Sequence, residues 1–371
     1  MLNPFEKILA KLHPAKGSDS VVGVDIGSAF IKTVQLHKKN GKAVLDTYGE
    51  IALGPLANLE VGQATNLPVD KIVAAINDLF TEAHVTSRNI IFSLPLISTL
   101  VTVIEMPDVG QEKLNEMIPI EARKYIPTSV SEVSISHWII PHITHTYIDP
   151  DEEEKNKGAQ KKVDVLLAAV HNDVLAKYTD IATKLGATSM SFEIEIFSTI
   201  RSVLGRDQSA IMIVDIGSST TKVAVIEEGI VRRSHLLNVG SQDVTLALSR
   251  AKGISLLEAE EMKREFGLLE NLKDPAYAEI TRLAMERIFS EATRIQLDYQ
   301  RAKRVNMSTI ILTGGGSLLK GLVELAQKTF DTGVVYGNAF DKIESPASIA
   351  PLLKESGPEF AVAVGLALRK L

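Results

Sequence analysis

Two stretches of this chain repeat one arrangement of chemically capable residues. Val22-Gly-Val-Asp25-Ile-Gly27-Ser28-Ala-Phe-Ile-Lys32 recurs in register as Met212-Ile-Val-Asp215-Ile-Gly217-Ser218-Ser219-Thr-Thr-Lys222. In each copy an apolar run rich in β-branched residues leads to Asp-Ile-Gly-Ser and another follows, a pattern of strand, tight turn and strand. Glycine lets the backbone approach a phosphate closely, and a tight turn aims successive N–H groups into one concavity. The serine hydroxyl adds a hydrogen bond, and the lysine ammonium adds a point charge suited to a β- or γ-phosphate. An aspartate at a strand end can hold Mg²⁺, usually through water, because Mg²⁺ keeps several of its waters. Two such turns facing across a cleft would clamp a triphosphate from both sides. The plainer alternative is a pair of structural hairpins whose aspartates simply terminate strands.

A third glycine element, Thr313-Gly314-Gly315-Gly316-Ser317, follows a short apolar strand at residues 310–313 and precedes a helical pattern. Three glycines there permit backbone approach to a flat or anionic group at a helix start. No Walker-type phosphate loop is present, since Gly316-Ser-Leu-Leu-Lys320-Gly321 lacks its spacing and order.

These turns need elements to hold them. Residues 70–84, 255–266 and 276–303 have helical periodicity, and residues 90–94 read as a strand, so each half alternates strands and helices. That alternation predicts α/β lobes rather than a sandwich or a bundle. The apolar stretch 90–104 is broken by Pro95 and reads as two short buried strands. A helix at 111–124 and strands at 133–140 and 163–170 then mark a small α+β subdomain inserted into the first lobe. The expected organisation is an N-terminal segment 1–20, a first lobe 21–98 and an insert 99–170. A return with a connecting helix at 171–204 and a second lobe 205–371 complete it.

Several segments have two readings. Leu2, Phe5, Ile8, Leu9 and Leu12 fall at helical spacing with lysines opposite, which suits a terminal helix packed on its own domain or one that touches a membrane or partner. The acidic-then-basic run at 149–162 reads as a solvated loop at a hairpin end, or as an electrostatic docking site. His137, His142 and His145 are not expected to form a metal site, because 137 and 142 would face opposite sides of a strand. Trp138 reads as a half-buried strand residue, and Lys303 and Arg304 suit the end of a long helix.

Composition narrows the function classes. The 371 residues are 45% hydrophobic and 23% charged, which excludes a disordered or fibrous chain and suits two or three domains. A net charge of -6 offers no general attraction to nucleic acid or anionic lipid. The absence of cysteine excludes disulfides, thiol catalysis and Cys-based metal sites, and fits a reducing compartment. With no secretory leader and no spanning run, a soluble cytoplasmic protein is expected.

Taken together, Asp25-Ile-Gly-Ser, Asp215-Ile-Gly-Ser and Gly314-Gly-Gly resemble the two phosphate motifs and the adenosine motif of the actin-like ATPase superfamily. Ala259-Glu260-x-x-Lys263 resembles its ribose- and base-contacting helix. Glu195 falls where its connecting helix carries a water-orienting acid or amide. Within that superfamily the sequence is similar to the PilM family of type IV pilus assembly, from about Val21 to Arg369. The residues that carry this are Ser93-Leu-Pro95, Ile104-Glu-Met-Pro107, Glu121-Ala-Arg-Lys-Tyr125-Ile-Pro127 and Ala361-Val-Ala-Val-Gly365-Leu-Ala-Leu-Arg369.

The resemblance implies an actin-like fold, with duplicated lobes around a cleft for ATP and Mg²⁺. It implies that Asp25 and Asp215 position Mg²⁺ and the attacking water, with Glu195 and Asp215 in catalytic roles. Gly27, Ser28 and Lys32 would contact the β-phosphate, and Gly217, Ser218, Ser219 and Lys222 would lie nearer the γ-phosphate. Glu260 and Lys263 would flank ribose and base, above Gly314, Gly315 and Gly316. Glu193 is an alternative to Glu195, which could instead be a solvent-facing carboxylate at a helix start. The implied partner is the cytoplasmic N-terminal tail of a PilN-like inner-membrane protein, docked on the insert, with links to the pilus motor ATPases. The protein would then lie peripherally at the inner membrane. Weak hydrolysis would rest on positioning and charge neutralisation. Two other readings share the fold: an FtsA-like division filament protein and a small-molecule kinase. FtsA-like chains usually close with a membrane-targeting helix, whereas this sequence runs out at Leu371, so membrane recruitment is expected through a partner.

Overall fold

A computed structural model describes residues 20–140, 162–205, 209–269 and 276–371. Each half of the chain opens with three antiparallel strands. In the first these are β1 (Ser20–Ile26), β2 (Phe30–Lys39) and β3 (Lys42–Ala52); in the second, β9 (Ala210–Ile216), β10 (Thr221–Glu227) and β11 (Ile230–Leu237). Two parallel strands extend each sheet, β4 (Asn89–Leu94) with β8 (Ser189–Ile194), and β12 (Met307–Thr313) with β13 (Gly333–Tyr336). The resulting orders, β3-β2-β1-β4-β8 and β11-β10-β9-β12-β13, are the same topology twice. Asn-Ile-Ile-Phe-Ser-Leu of β4 and Ala-Ile-Met-Ile-Val-Asp-Ile of β9 are buried along their whole length, as expected of central strands covered on both faces. This is an α/β architecture with duplicated mixed sheets, the organisation that the sequence resemblance implies.

Helices cover the sheets by their apolar stripes. Helix α1 (Val69–Glu82) buries Ile72, Ala75, Ile76, Leu79 and Phe80, spaced three and four apart as its sequence period requires. Burying each of the larger of these contributes about 1.5–3 kcal/mol. The insert is a three-stranded antiparallel sheet ordered β5-β7-β6, with β5 at Thr99–Pro107, β6 at Val133–Ile139 and β7 at Lys162–His171. Helix α2 (Gln111–Ala122) buries Leu114, Ile118 and Ala122 against it. Trp138 is half-buried on β6. His142, His145, the run 149–161 and the N-terminal segment 1–19 lie outside the described residues.

Two features depart from the sequence reading. The insert contacts both lobes: β5 packs beside β11, and Ser234 Oγ donates to the Val101 carbonyl at 2.8 Å. A continuous apolar cluster joins Val101, Leu166 and Ala168 of the insert to Ile213, Ala224 and Val231 of the second sheet. The C-terminal helix α10 (Ala361–Leu368), which the sequence reading places with the second lobe, packs instead on β1, β2 and β4. It also packs on α4 (Glu195–Val203). Its sequence, apolar all round, had no stripe to show which sheet would cover it.

Backbone proximity fixes α10 there. A Cβ on Gly365 would lie 1.8 Å from the Ser198 carbonyl oxygen, and one on Gly23 would lie 2.1 Å from that of Ala363. Gly365→Ala is therefore expected to destabilise the protein by about 3 kcal/mol in urea denaturation. Gly205→Ala, where nothing lies within 4 Å, serves as the near-neutral control.

Candidate nucleotide site

The two repeated turns fold identically and meet. Gly27 N–H donates to Phe30 O at 3.0 Å, and Gly217 N–H donates to Thr220 O at 2.9 Å. The strand registers pair Asp25 with Lys32 and Asp215 with Lys222. A Cβ on either glycine would lie 2.9 Å from the carbonyl that closes its turn, so neither position accepts a larger residue without distortion. Between the lobes, Ser219 Oγ donates to Ser28 Oγ at 3.0 Å, and Ser218 Oγ donates to the Gly62 carbonyl at 3.0 Å. Gly314 closes the third side in the left-handed region, at φ 81, where a Cβ would lie 2.4 Å from Asp215 Oδ1.

The cleft they enclose has a volume of about 500 Å³, within the usual range for a small-molecule site. Asp25, Gly27, Ser28, Lys32, Glu195, Asp215, Gly217, Ser218, Ser219, Lys222, Glu260, Lys263 and Gly314 to Gly316 all line it. The fifteen positions singled out by sequence thus fall on one surface.

Their partners break the symmetry of the repeat. Lys222 Nζ lies 3.0 Å from Glu195 Oε2 and 3.5 Å from Asp215 Oδ2. Lys32 Nζ turns sideways, 3.0 Å from Glu50 Oε2 and 3.6 Å from Glu359 Oε2. Asp25 Oδ1 accepts from Ser93 Oγ at 2.7 Å. Glu195 begins α4 as a buried residue and accepts from the Leu96 N–H at 2.7 Å, so the solvent-facing alternative does not hold. Glu193 is no substitute for it, because Arg201 holds its carboxylate at 2.5 and 2.6 Å and Arg369 lies 3.6 Å away. On α6 (Leu256–Phe266), Glu260 binds Lys263 at 2.6 Å, Thr245 Oγ1 at 2.6 Å and Arg264 Nε at 2.8 Å.

Glu50, Glu359, Arg264, Gly62 and Ser93 were not foreseen as site residues. Glu50 had only half a signal: Asn40-Gly41 marks a two-residue hairpin between β2 and β3 whose register alone would set Lys32 opposite Gly49, and a bulge at Gln35–Leu36 shifts it by one to Glu50. Glu359 had none, because only tertiary packing brings the C-terminal segment back beneath Gly315.

The electrostatics of the cleft constrain its ligand. Six carboxylates (Asp25, Glu50, Glu195, Asp215, Glu260 and Glu359) face four basic groups (Lys32, Lys222, Lys263 and Arg264). A bare triphosphate would add to the excess negative charge, so an anionic ligand fits only with a divalent cation. Hard carboxylate oxygens on Asp25 and Asp215 are the donor type that Mg²⁺ takes. Burial pushes Asp25 and Glu195 above their ordinary values, with Ser93 and Lys222 opposing at Asp25 and Lys222 opposing at Glu195. Burial likewise raises Glu359. Burial alone would pull Lys222 down, but Asp215 and Glu195 hold it above its usual range.

A pH dependence follows. Carboxyls raised in the folded state bind more protons there than in the unfolded chain, so their contribution to stability falls as pH rises above about 4. Wild-type protein without ligand should lose stability more steeply than Asp25→Asn as pH rises from about 4. Burial lowers His137 and His235, which act in the opposite direction but equally in both proteins, so the difference in Tm reports Asp25 together with Glu195, which the Asp25 charge also raises.

Residues 23–371 match the family described as "Type IV pilus assembly protein PilM". Escherichia coli K12 FtsA, a cell division protein, is 23% identical over 93% of this chain and 89% of its own length. The Neisseria meningitidis FtsA is 25% identical over 86% and 84%. Among solved structures, a PilM-PilN type IV pilus biogenesis complex superposes with a TM-score of 0.77 at 22% identity, covering 94% of this chain and 98% of that one. MreB5 of Spiroplasma citri bound to ADP superposes at 0.50 with 11% identity, covering 95% and 96%. With the matched sequence spanning nearly all of both lobes and the insert, the chain belongs to the PilM family of type IV pilus assembly proteins, with the actin-like ATPase fold and related to FtsA.

Proposed function

We propose that this chain binds ATP with Mg²⁺ between its lobes and docks the cytoplasmic N-terminal tail of a PilN-like inner-membrane protein on its insert in a nucleotide-sensitive way. The observation that carries the nucleotide reading is the meeting of both Asp-Ile-Gly-Ser turns and the triple-glycine turn around one charged cleft. The turn N–H groups and the hydroxyls of Ser28, Ser218 and Ser219 would bind phosphate oxygens, and Lys222 would add charge from the second lobe. Lys32 would have to leave Glu50 and Glu359 to do the same from the first. Asp25 and Asp215 would hold Mg²⁺, which when bound would offset the phosphate charge. Glu195, fixed on one oxygen by the Leu96 amide and on the other by Lys222, would orient a water. Glu260 and Lys263 would face ribose and base above Gly314 to Gly316.

For the partner, support comes from the PilM-PilN complex among the fold's solved structures. Support within this chain comes from the exposed apolar side chains Ile120 and Tyr125 on the insert. No helix among the described residues is long and apolar enough to cross a membrane, so membrane attachment would run through such a partner.

Calorimetry with Mg·ATP tests the site. Asp25→Asn is expected to weaken binding about 10- to 100-fold through loss of one charged interaction. Gly217→Val should abolish it by closing the turn; wild-type affinity in either variant overturns the assignment. In a second titration, a synthetic partner tail should bind with different affinity with and without Mg·ATP; equal affinities would remove the nucleotide sensitivity.

A further inference from the structure

The strand β4 ends at Leu94, and the chain enters the insert through a short turn before β5 begins at Thr99. The end of β4 and that turn together reach two acids of the cleft. Ser93 Oγ donates to Asp25 Oδ1 at 2.7 Å and accepts from the Ile26 N–H at 3.4 Å. Three residues on, the Leu96 N–H donates to Glu195 Oε1 at 2.7 Å. Ser93, Leu96 and Glu195 are all buried, so these bonds are shielded from water, where each is worth most. From Glu195 the contacts continue to Lys222 at 3.0 Å and from Lys222 to Asp215 at 3.5 Å. Pro95 and Ile97 of the same turn form part of the cleft wall.

The turn is also tied to the insert. Thr99 Oγ1 donates back to the Leu96 carbonyl at 3.2 Å, and two residues later Val101 is held by Ser234 of the second lobe. The chain from Ser93 to Val101 thus joins the groups that fix Asp25 and Glu195 to the insert and to the second lobe.

We infer that the root of the insert, from Ser93 to Thr99, is the positioning element of the cleft. Ser93 orients Asp25 toward the metal, and the Leu96 amide links Glu195 to the partner-binding subdomain, so that site occupancy and insert conformation are coupled through this turn. The inference rests on the reading that the cleft takes a magnesium-bound nucleotide. Neither group touches the ligand; both act through the acid they hold.

Two measurements on the full chain test it. Binding of fluorescent ATP is titrated with Mg²⁺ for wild type and Ser93→Ala. Loss of a charged hydrogen bond to Asp25 should raise the Mg²⁺ half-saturation about tenfold, while nucleotide affinity at saturating Mg²⁺, which reports an intact fold, stays within about twofold. Hydrogen exchange is then followed in wild type and Thr99→Val, which removes the hydroxyl that ties the turn to β5 and leaves every cleft residue in place. Mg·ATP should slow exchange across residues 96–107 in wild type by about tenfold or more, and this protection should fall at least severalfold in the variant. Nucleotide binding by wild type with an unchanged Mg²⁺ requirement in Ser93→Ala, or with equal insert protection in Thr99→Val, overturns the positioning role. Failure of wild type to bind nucleotide at all would instead overturn the reading of the cleft and this inference with it.

Discussion

The structure depends on holding more buried negative than positive charge at the meeting point of two lobes. Asp25 and Asp215 come from equivalent strands of the two halves, and neither can leave the cleft without unmaking the turn that follows it. Burial raises three carboxyls there, because each gives up water around its charged form. Lys222 offsets part of that cost in the second lobe and Lys32 in the first. A cation that bridges the aspartates would relieve what remains, so ligand binding and lobe closure draw on the same interaction.

Everything distant from the cleft serves to bring the turns together at backbone range. The bare backbone of Gly23 and Gly365 lets α10, the last helix of the chain, press on the first sheet, although the strands before it belong to the second. The chain thus crosses between the lobes twice, once through α4 and once ahead of α10. Both crossings end beside the cleft, since Glu195 begins α4 and Glu359 lies just before α10. The insert adds a third link through β5 and β11.

Much of this was legible in the sequence, for physical reasons that differ between elements. The glycine turns were legible because a tight turn after an apolar strand restricts residue type at each position, and the restriction appears twice. Helix α1 and the strands of the insert were legible from periodicity, and their observed bounds fall within two residues of those expected at most ends. The lobe that receives α10 was not legible, since Ala-Val-Ala-Val-Gly-Leu-Ala-Leu is apolar on every face. Nor was the diversion of Lys32, whose motif matches that of Lys222 while its neighbours, Glu50 and Glu359, come from a hairpin register and from the far end of the chain. Glu193 and Glu195 are two residues apart and chemically alike; only the placement of Arg201 and Arg369 around the first leaves the second to the cleft.

The central claim is that Asp25 and Asp215 share one cation beneath a nucleotide held by both turns. The most direct measurement is the anomalous diffraction of Mn²⁺ in crystals grown with a non-hydrolysable ATP analogue. The account predicts a single strong peak in the cleft, bound by both aspartates directly or through one water each, beside the phosphates. A nucleotide bound elsewhere, or a metal that touches neither aspartate, would contradict it.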